Sequence, residues 1–386
     1  MPMITNLNSN AIPKRLVWAD IIRLIAIFLV ICIHCSNSFG NLPLVREHPG
    51  YNFWSIVFET FSRPCVPLFV MLTGMLLLPI NQDPSTFYRK RILRVLIPFL
   101  IWSVLYNLFP WVCGLTGIHG DTLSMMFVGA GSNPSQSLWT SLQFIALSPI
   151  QFGPYTIHMW YIYMLLGLYL YMPIISLLIK HSTRHQQNCF LLLWVLTLFL
   201  PYLRELMGNN ILGSCAWNPF DLLYYFAGFH GYLLLGYRLK ESIKINKWGT
   251  ILLGVVLWII GYAITFYGFV YMANRGFSSP SQAELFMQYC SINVAMMSVG
   301  IWLIIRQICI SSPMIQALLA NLTKCGYGIY LFHYFMVGLA VSFVSQSGIP
   351  IPTVIPFAAL LTFLISWFVV FFLYKLFPKV SKWIWG

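Results

Sequence analysis

Residues 17–39 read VWADIIRLIAIFLVICIHCSNSF, a segment long and apolar enough to cross a bilayer as one helix. The segment nevertheless carries the ionisable side chains Asp20, Arg23 and His34. Arg23 and His34 are eleven residues apart, which on an α-helix is about 20° past three full turns and a rise of roughly 16 Å. Asp20 precedes Arg23 by three residues and lies within about 60° of it. One helix face therefore carries all three, and because ionisable groups are costly in lipid, we expect this face to line a polar cavity.

The rest of the chain has the composition of a polytopic membrane protein. Charged residues make up 8% and hydrophobic residues 59% of the 386 residues, far from a soluble globular mixture. Segments of roughly the length that a bilayer requires cover residues 17–39, 53–79, 92–113, 155–179, 188–203, 219–237, 249–271, 287–305, 322–345 and 352–374. The predicted fold class is therefore an all-α polytopic membrane protein with about ten transmembrane helices.

The distribution of Lys and Arg predicts the orientation of these spans. With the N-terminus in the cytoplasm, only Arg46, Arg204 and Arg275 of the 22 Lys and Arg residues fall outside, while Arg23 and Arg63 lie within spans. Such an excess of positive charge on one side is typical of cytoplasmic loops. Both termini are thus expected in the cytoplasm. The net charge of +13 is attributed to topology and to attraction by anionic membrane lipids, not to nucleic-acid binding.

The predicted domain organisation is one transmembrane domain, residues 17–374, between cytoplasmic tails at 1–16 and 375–386. Residues 17–39 are interpreted as a retained span and not a signal peptide, since they include two charges and lack a small-residue cleavage site. The longest predicted outer loop, 114–154, contains the apolar run Leu138–Leu147, which we expect to form a short interfacial or re-entrant helix.

The cysteines give little indication of a metal site. Cys32 and Cys35 form a CxxC pair, but a second Cys/His pair at suitable spacing is not evident in the sequence. We therefore expect no bound metal and interpret these cysteines as small apolar side chains of the core.

The second predicted span carries an ion pair. Glu59 and Arg63 are spaced i, i+4 and can meet on one helix face, and Pro64 and Pro67 follow directly and are expected to kink the helix. The helix directions place Glu59 and His34 in the same half of the membrane, where they could share a chamber. The alternative is a self-satisfied pair with a purely structural role.

A basic run, Phe87-Tyr-Arg-Lys-Arg91-Ile-Leu-Arg94, leads into the third span. Arg91 and Arg94 lie on one helix face, and two guanidinium groups so placed suit bidentate binding of phosphate. The alternative to phosphate binding is that these residues only mark a cytoplasmic span end, where Lys and Arg commonly accumulate.

Further histidines are associated with the later spans, at His158, His230 and His333. An isolated buried histidine is usually a hydrogen-bonded structural group. Together with His34, however, these residues favour a shared polar cavity within the membrane.

In order along the chain, these motifs resemble those of the integral-membrane acyltransferase-3 family. Asp20-Ile-Ile-Arg23 with His34 is similar to its D-x-x-R…H signature, and Arg91-Ile-Leu-Arg94 to its R-x-x-R motif. The other matching segments are Pro67-Leu-Phe-Val-Met-Leu-Thr-Gly74, with Thr73 at a position usually Ser, His158-Met-Trp-Tyr161, Tyr169-Leu-Tyr-Met-Pro173 and Gly328-Ile-Tyr-Leu-Phe-His333. Within the family, the chain is most similar to the enterobacterial common antigen O-acetyltransferase branch.

The resemblance implies an enzyme of the bacterial cytoplasmic (inner) membrane. Such an O-acyltransferase moves an acyl group, usually acetyl, from cytoplasmic acyl-CoA to a hydroxyl of a cell-surface or lipid-linked polysaccharide at the outer face. Acetyl-CoA acts as co-substrate, and no bound cofactor is expected.

The resemblance also implies roles for His34, Arg91 and Arg94, and position along the spans suggests roles for the other residues. His34 is the expected catalytic base, which suits an imidazole titrating near neutral pH, and Glu59 is expected to orient it or balance its charge. Arg91 and Arg94 are expected to hold the donor phosphates, with Arg23 touching the donor or holding Asp20. Arg63, His158 and His333 are candidates for the acceptor side or the oxyanion. Both direct transfer and an acyl-histidine intermediate are compatible with these roles.

Two other function classes fit the same polar face. A transporter or flippase could carry a polar solute or glycan precursor along it without acyl-CoA. A multipass scaffold could contain the same ion pairs without chemistry, in which case loss of His34 would have no functional effect.

Overall fold

The structure is a computed structural model that describes residues 15–117, 136–241, 245–277 and 279–386. In these ranges the chain forms helices and no β-strand. The helices are α1 Val17–Gly40, α2 Pro43–Glu47, α3 Asn52–Ser62, α4 Cys65–Leu77, α5 Pro84–Leu115, α6 Leu138–Leu147, α7 Trp160–His181, α8 Arg184–Thr197, α9 Leu200–Met207, α10 His230–Arg238, α11 Lys247–Arg275, α12 Pro280–Ala283, α13 Ile292–Ile305, α14 Pro313–Phe332, α15 Tyr334–Ser345, α16 Ile351–Leu376 and α17 Pro378–Ile384. Most of the predicted tail 1–16 and part of the predicted loop 114–154 lie outside the described residues.

Eight of the predicted spans correspond to helical segments long and apolar enough to cross a membrane. Within the described ranges these segments are Val17–Gly40, Pro49–Leu77, Pro84–Leu115, Ile157–His181, Arg184–Met207, Lys247–Arg275, Leu285–Ile305 and Ile351–Leu376. The chain is therefore a multi-pass membrane protein of helical fold. The short apolar helix expected at Leu138–Leu147 is also present, as α6.

The remaining two predicted spans differ from the expectation. The segment 322–345 is not one straight helix, because α14 and α15 meet at His333 with a bend of 84°. At the bend the Tyr330 carbonyl accepts a hydrogen bond from the imidazole of His333, a side-chain partner of the kind found at helix breaks. The segment 219–237 contains only the nine-residue α10, preceded by a turn and a 3₁₀ helix at Tyr224–Phe226. The count of ten spans is therefore not confirmed; the described residues support eight, or nine if the bent pair counts as one.

The predicted break in the second span is confirmed. Helix α3 ends at Ser62, and α4 begins at Cys65 directly after Pro64. A proline ring cannot donate a backbone hydrogen bond, so the ladder is interrupted there. The break leaves Arg63 at the junction, buried at 6% exposure.

Helix α5 begins with a well-formed cap. The Asp83 carboxylate accepts hydrogen bonds from the backbone amides of Ser85 and Thr86, and Pro84 occupies the first helical position. The Ser85 hydroxyl, with these amides, lowers the pKa of Asp83 below its ordinary value. The cap fixes where the basic run of α5 starts.

Helix α1 lies at the centre of the bundle. It packs against α3, α4, α14, α15 and α16, and much of its length is buried, including Ile22, Ile31 and Cys35 at 0% exposure. A charged stripe on such a helix can contact only other parts of the protein or an internal cavity.

Helices α4 and α10 approach each other backbone to backbone. A Cβ atom built on Gly74 would lie 2.0 Å from the Leu233 carbonyl oxygen, and one on Gly236 would lie 2.0 Å from that of Met71. Small residues permit this separation between membrane helices. The contact explains how α10, too short for a span, is held inside the bundle.

Candidate active site

Two cavities lie along α1. The larger, here named the Arg23 cavity, has a volume of about 750 Å³ and is lined by Asp20, Arg23 and Ile27 of α1. The smaller, named the His34 pocket, has about 40 Å³ and is lined by Val30, Ile33 and His34. The face of α1 predicted to be polar thus borders one cavity near its beginning and the other near its end.

The Arg23 cavity carries a bridged pair of guanidinium groups. The Asp20 carboxylate lies 3.6 Å from Nη1 of Arg23 and 2.5 Å from Nε of Arg15. The Arg23 side chain is 33% exposed, whereas that of Asp20 is 10% exposed. Asp20 therefore fixes Arg23 at the cavity wall.

Arg91 and Arg94 of α5 line the same cavity as Arg23, together with Lys324 of α14. Nε and Nη2 of Arg94 each donate to the Gly386 carbonyl oxygen at 3.1 Å. Arg91 has no hydrogen bond or ion pair to any other residue that the structure describes. The wall thus presents several cations and one acidic side chain, that of Asp20, which favours an anionic ligand.

Three aromatic side chains separate the two cavities. Phe69, Tyr161 and Tyr330 line both of them, and the Tyr161 ring lies 5.8 Å from each of the other two by centroid distance. The Tyr330 hydroxyl donates to the His158 carbonyl at 2.7 Å. We name this set the aromatic partition. It marks where the Arg23 cavity ends and the His34 pocket begins.

Beyond the partition, three histidines cluster from distant parts of the chain. The ring centroids of His34 and His333 are 5.3 Å apart, those of His34 and His158 are 6.4 Å apart, and those of His158 and His333 are 5.9 Å apart. Tyr334 stacks on His158 at 4.2 Å and 15° and meets His34 edge-on at 5.1 Å. Tyr106 lies 4.7 Å from His158, with its ring at 69° to the imidazole.

The hydrogen bond of His333 defines its tautomer. Its Nδ1 lies 2.6 Å from the Tyr330 carbonyl oxygen, and because a carbonyl oxygen only accepts, Nδ1 carries the proton. Nε2 of the neutral ring is then a lone-pair acceptor. That atom is buried without a partner among the described residues, as are both ring nitrogens of His158. Buried polar atoms are normally satisfied, so these nitrogens are the expected contacts of a bound polar group.

Arg63 forms the centre of a second network at the α3–α4 junction. It pairs with Glu59, as the i, i+4 spacing predicts, and its Nη1 lies 3.2 Å from the Glu284 carboxylate. Its guanidinium also lies 5.7 Å from the Tyr289 ring centroid. Tyr289 lines the His34 pocket and stacks on Trp160 at 5.5 Å and 26°. Arg63 is thus connected to the pocket through Tyr289.

The structure divides the predicted site residues into three groups. Arg23, Arg91 and Arg94, with Asp20, line the Arg23 cavity. His34, His158 and His333 form the histidine cluster. Glu59 and Arg63 form the junction network; within the described residues the Glu59 carboxylate binds Arg63 and makes no contact with His34.

Several site residues were missed by the sequence analysis. Tyr106, Tyr334, Tyr289 and Glu284 contact the cluster or the network. Of these residues, only Tyr334 could have been expected at the site from the sequence, because it directly follows His333. Tyr106 and Tyr289 could not be told from the many aromatic residues expected at span ends, and Glu284 reaches Arg63 only through the folding of a remote segment.

In the part of the chain that the structure describes, no group of three or more His, Cys, Asp or Glu side chains could hold a metal ion. Cys32 and Cys35 are buried free thiols of the core around α1.

Comparison with known families agrees with these features. The profile of a family described as Acyltransferase domain (the acyltransferase-3 family) matches residues 16–371. No curated protein and no solved structure gives a significant match. The matched range covers the aromatic partition, the histidine cluster and, apart from Arg15 and Gly386, the walls of both cavities. The chain belongs to this family as a membrane acyltransferase.

Proposed function

From this family membership, we propose that the protein is an O-acyltransferase that moves an acyl group, in the first instance acetyl, from acyl-CoA to a hydroxyl of a polysaccharide. The acceptor is a cell-surface or lipid-linked glycan, with the enterobacterial common antigen as the first to test. The donor approaches from the cytoplasm and the acceptor from the outer face of a bacterial inner membrane. Family membership favours acyl transfer over the transport of a polar solute.

The observation that carries this proposal is the order of features along α1. The cationic Arg23 cavity comes first, then the aromatic partition, then the His34 pocket. An acyl-CoA is elongated, with phosphates at one end and the thioester at the other. Its phosphates would bind the cations by charge-assisted hydrogen bonds, and its thioester would reach the partition next to His34.

The reaction needs a base near the acceptor hydroxyl. In our proposal the imidazole of His34 removes the hydroxyl proton while the oxygen attacks the thioester carbonyl carbon. A C–O bond forms and the carbonyl electrons move to the oxygen, giving a tetrahedral oxyanion. The C–S bond then breaks, and the leaving thiolate takes the proton back from the imidazolium. In an acyl-histidine route, His34 itself attacks the thioester first.

His158 and His333 are suited to support this step. The unpartnered nitrogens of both residues lie in the cluster around His34. A neutral imidazole presents either a donor or an acceptor at each nitrogen. With its Nδ1 proton held by Tyr330, His333 would accept a hydrogen bond from a second hydroxyl of the acceptor sugar, while a protonated nitrogen of His158 would donate to the oxyanion.

The acceptor would enter on the side of Trp160 and Tyr289. These two stacked rings line the His34 pocket, and flat aromatic surfaces suit the apolar faces of sugars. Beyond them the Glu284 side chain is 56% exposed. We therefore assign Glu59 to holding Arg63 behind Tyr289, and not to orienting His34.

Assay of the purified full-length protein tests the proposal. Radiolabelled acetyl-CoA and a lipid-linked glycan are incubated with wild-type protein and with His34→Ala, and label in the glycan is counted. Transfer by wild type and its loss in the variant are expected. Transport would be supported instead if the label stayed in acetyl-CoA with the wild-type protein and the intact glycan crossed the vesicle membrane.

A further inference from the structure

A third cavity lies at the same end of the bundle as the Arg23 cavity. It has a volume of about 940 Å³ and is formed between the start of α5 and the helix α17. We name it the Lys382 cavity. Arg89, Lys90 and Lys382 contribute to its wall, and Arg94 and Lys324 are shared with the Arg23 cavity. No acidic side chain lines it.

Three of these cations have no counter-charge. Within the described ranges, Arg89, Lys90 and Lys382 form no ion pair or hydrogen bond with another residue. Elsewhere on the surface, Arg184 and Arg238 share the Glu241 carboxylate, at 3.3 and 3.4 Å. The unpaired charge around one cavity favours an anionic occupant.

The wall of the Lys382 cavity is also apolar on one side. Leu93 and Ile97 lie one turn apart on α5 and both line it, and Trp383 lines it from α17. Leu93 is 43% exposed, Trp383 60% and the neighbouring Phe377 57%. On a membrane protein such side chains face lipid, and an exposed Trp marks the level of the headgroups.

A ligand that satisfies both halves of this wall is itself amphipathic. A free phosphate or nucleotide would use the cations and leave the exposed apolar side untouched. A phospholipid would place its phosphate among the cations and an acyl chain along Leu93 and Ile97. Basic pockets between membrane helices are known to bind anionic lipid headgroups.

We propose that the Lys382 cavity binds an anionic phospholipid through its phosphate. The lipid occupies the outside of α5, and the acyl donor of the proposed reaction would occupy the inside. This inference does not rest on the acyltransferase chemistry, because its ligand and its readout are separate, although Arg94 and Lys324 line both cavities.

Lipid retention measured by native mass spectrometry tests this inference. The full-length protein is exposed in detergent to equal amounts of phosphatidylglycerol and phosphatidylcholine, and the retained lipid is weighed. The test variant is Arg89→Gln with Lys90→Gln and Lys382→Gln. The matched control is Lys247→Gln with Lys375→Gln and Lys379→Gln, which removes the same charge outside the cavity.

Wild type and the control are expected to retain phosphatidylglycerol in preference to phosphatidylcholine. In the test variant, retention of phosphatidylglycerol should weaken by roughly a hundredfold, since each cation near an anionic lipid contributes about fivefold. Equal retention by the test variant and the control would overturn the proposal. If the test variant does not fold, single Lys382→Gln and Arg89→Gln variants replace it, and each should lose about fivefold.

A competition arm distinguishes lipid from a soluble phosphate compound. Adenosine 3′,5′-bisphosphate is added to the wild-type complex with phosphatidylglycerol. Continued retention of the lipid supports the proposal, whereas displacement would assign the cavity to a nucleotide and overturn it. Acyl transfer is not measured in either arm, so failure here leaves the proposed function intact.

Discussion

The imidazole rings of His34 and His333 lie 5.3 Å apart by centroid distance and at 38° to each other. His34 comes from the first membrane helix, and His333 from the bend that divides α14 from α15. The bend brings the Nε2 atom of His333 into the same cluster as the proposed base.

The first prediction concerns the base itself. His34→Gln should reduce acetyl transfer by about 10² to 10⁴-fold, the usual contribution of a general base. Transfer of label from acetyl-CoA to glycan measures the loss. His230→Gln is the control, because His230 contacts Tyr171 and Phe190 away from the cluster. Equal activity of the two variants would remove His34 from the mechanism.

The second prediction concerns donor binding. Arg91→Gln should raise KM for acetyl-CoA by about tenfold or more with a smaller effect on kcat, since a charge-assisted hydrogen bond contributes about 1.5–3 kcal/mol. Arg94→Gln should have the smaller effect of the two, because Arg94 already donates twice to Gly386. Initial rates over a range of acetyl-CoA concentrations measure both. An unchanged KM in the double variant would contradict the assignment.

The third prediction concerns the aromatic partition. Phe69→Ala should let water reach the thioester and so produce hydrolysis of acetyl-CoA in the absence of glycan. Release of free thiol measures this reaction. Phe343→Ala provides the control, because Phe343 is 70% exposed on α15. If the partition does not exclude water, both variants will hydrolyse acetyl-CoA at the same low rate.

The fourth prediction concerns the buried ion pair at the α3–α4 junction. Arg63→Met should lower the free energy of unfolding by about 3–5 kcal/mol, because it leaves the Glu59 carboxylate buried without its partner. Adding Glu59→Gln should recover much of this loss. Thermal unfolding in detergent compares the single and double variants, and a double variant no more stable than the single one would argue against the pair.

The fifth prediction concerns the contact of α4 with α10. Gly236→Ala should destabilise the protein by roughly 1–3 kcal/mol, because the new methyl group would overlap the Met71 carbonyl and the helices would have to separate. Gly167→Ala serves as the matched control, since a Cβ atom there meets no atom within 4 Å. Melting temperatures of the two variants should differ clearly.

Most of the fold could be predicted because it depends on local composition. Apolar length defines eight of the helical spans, Pro64 defines the break after Arg63, and the spacing of Glu59 and Arg63 defines their pairing. The bend at His333 could not be predicted, since no proline or glycine marks it. The position of α10 likewise depends on the close approach of Gly74 to Leu233 and of Gly236 to Met71, pairs that are distant in the sequence.

Less of the site than of the fold could be predicted from the sequence. Helical geometry alone put Asp20, Arg23 and His34 on one face of α1. The partner of Glu59 was also apparent, but Glu284 was not, because its approach to Arg63 depends on how a remote segment folds back onto α3. The aromatic partition was hidden for a similar reason: its three rings come from α4, α7 and α14.

The aromatic partition also bears on the electrical state of the membrane. Three large rings stand between the two cavities along α1, and apolar constrictions can exclude water and the ions that move with it. We therefore expect the resting protein to be silent in conductance recordings, so a cell could produce it in quantity without dissipating its proton gradient.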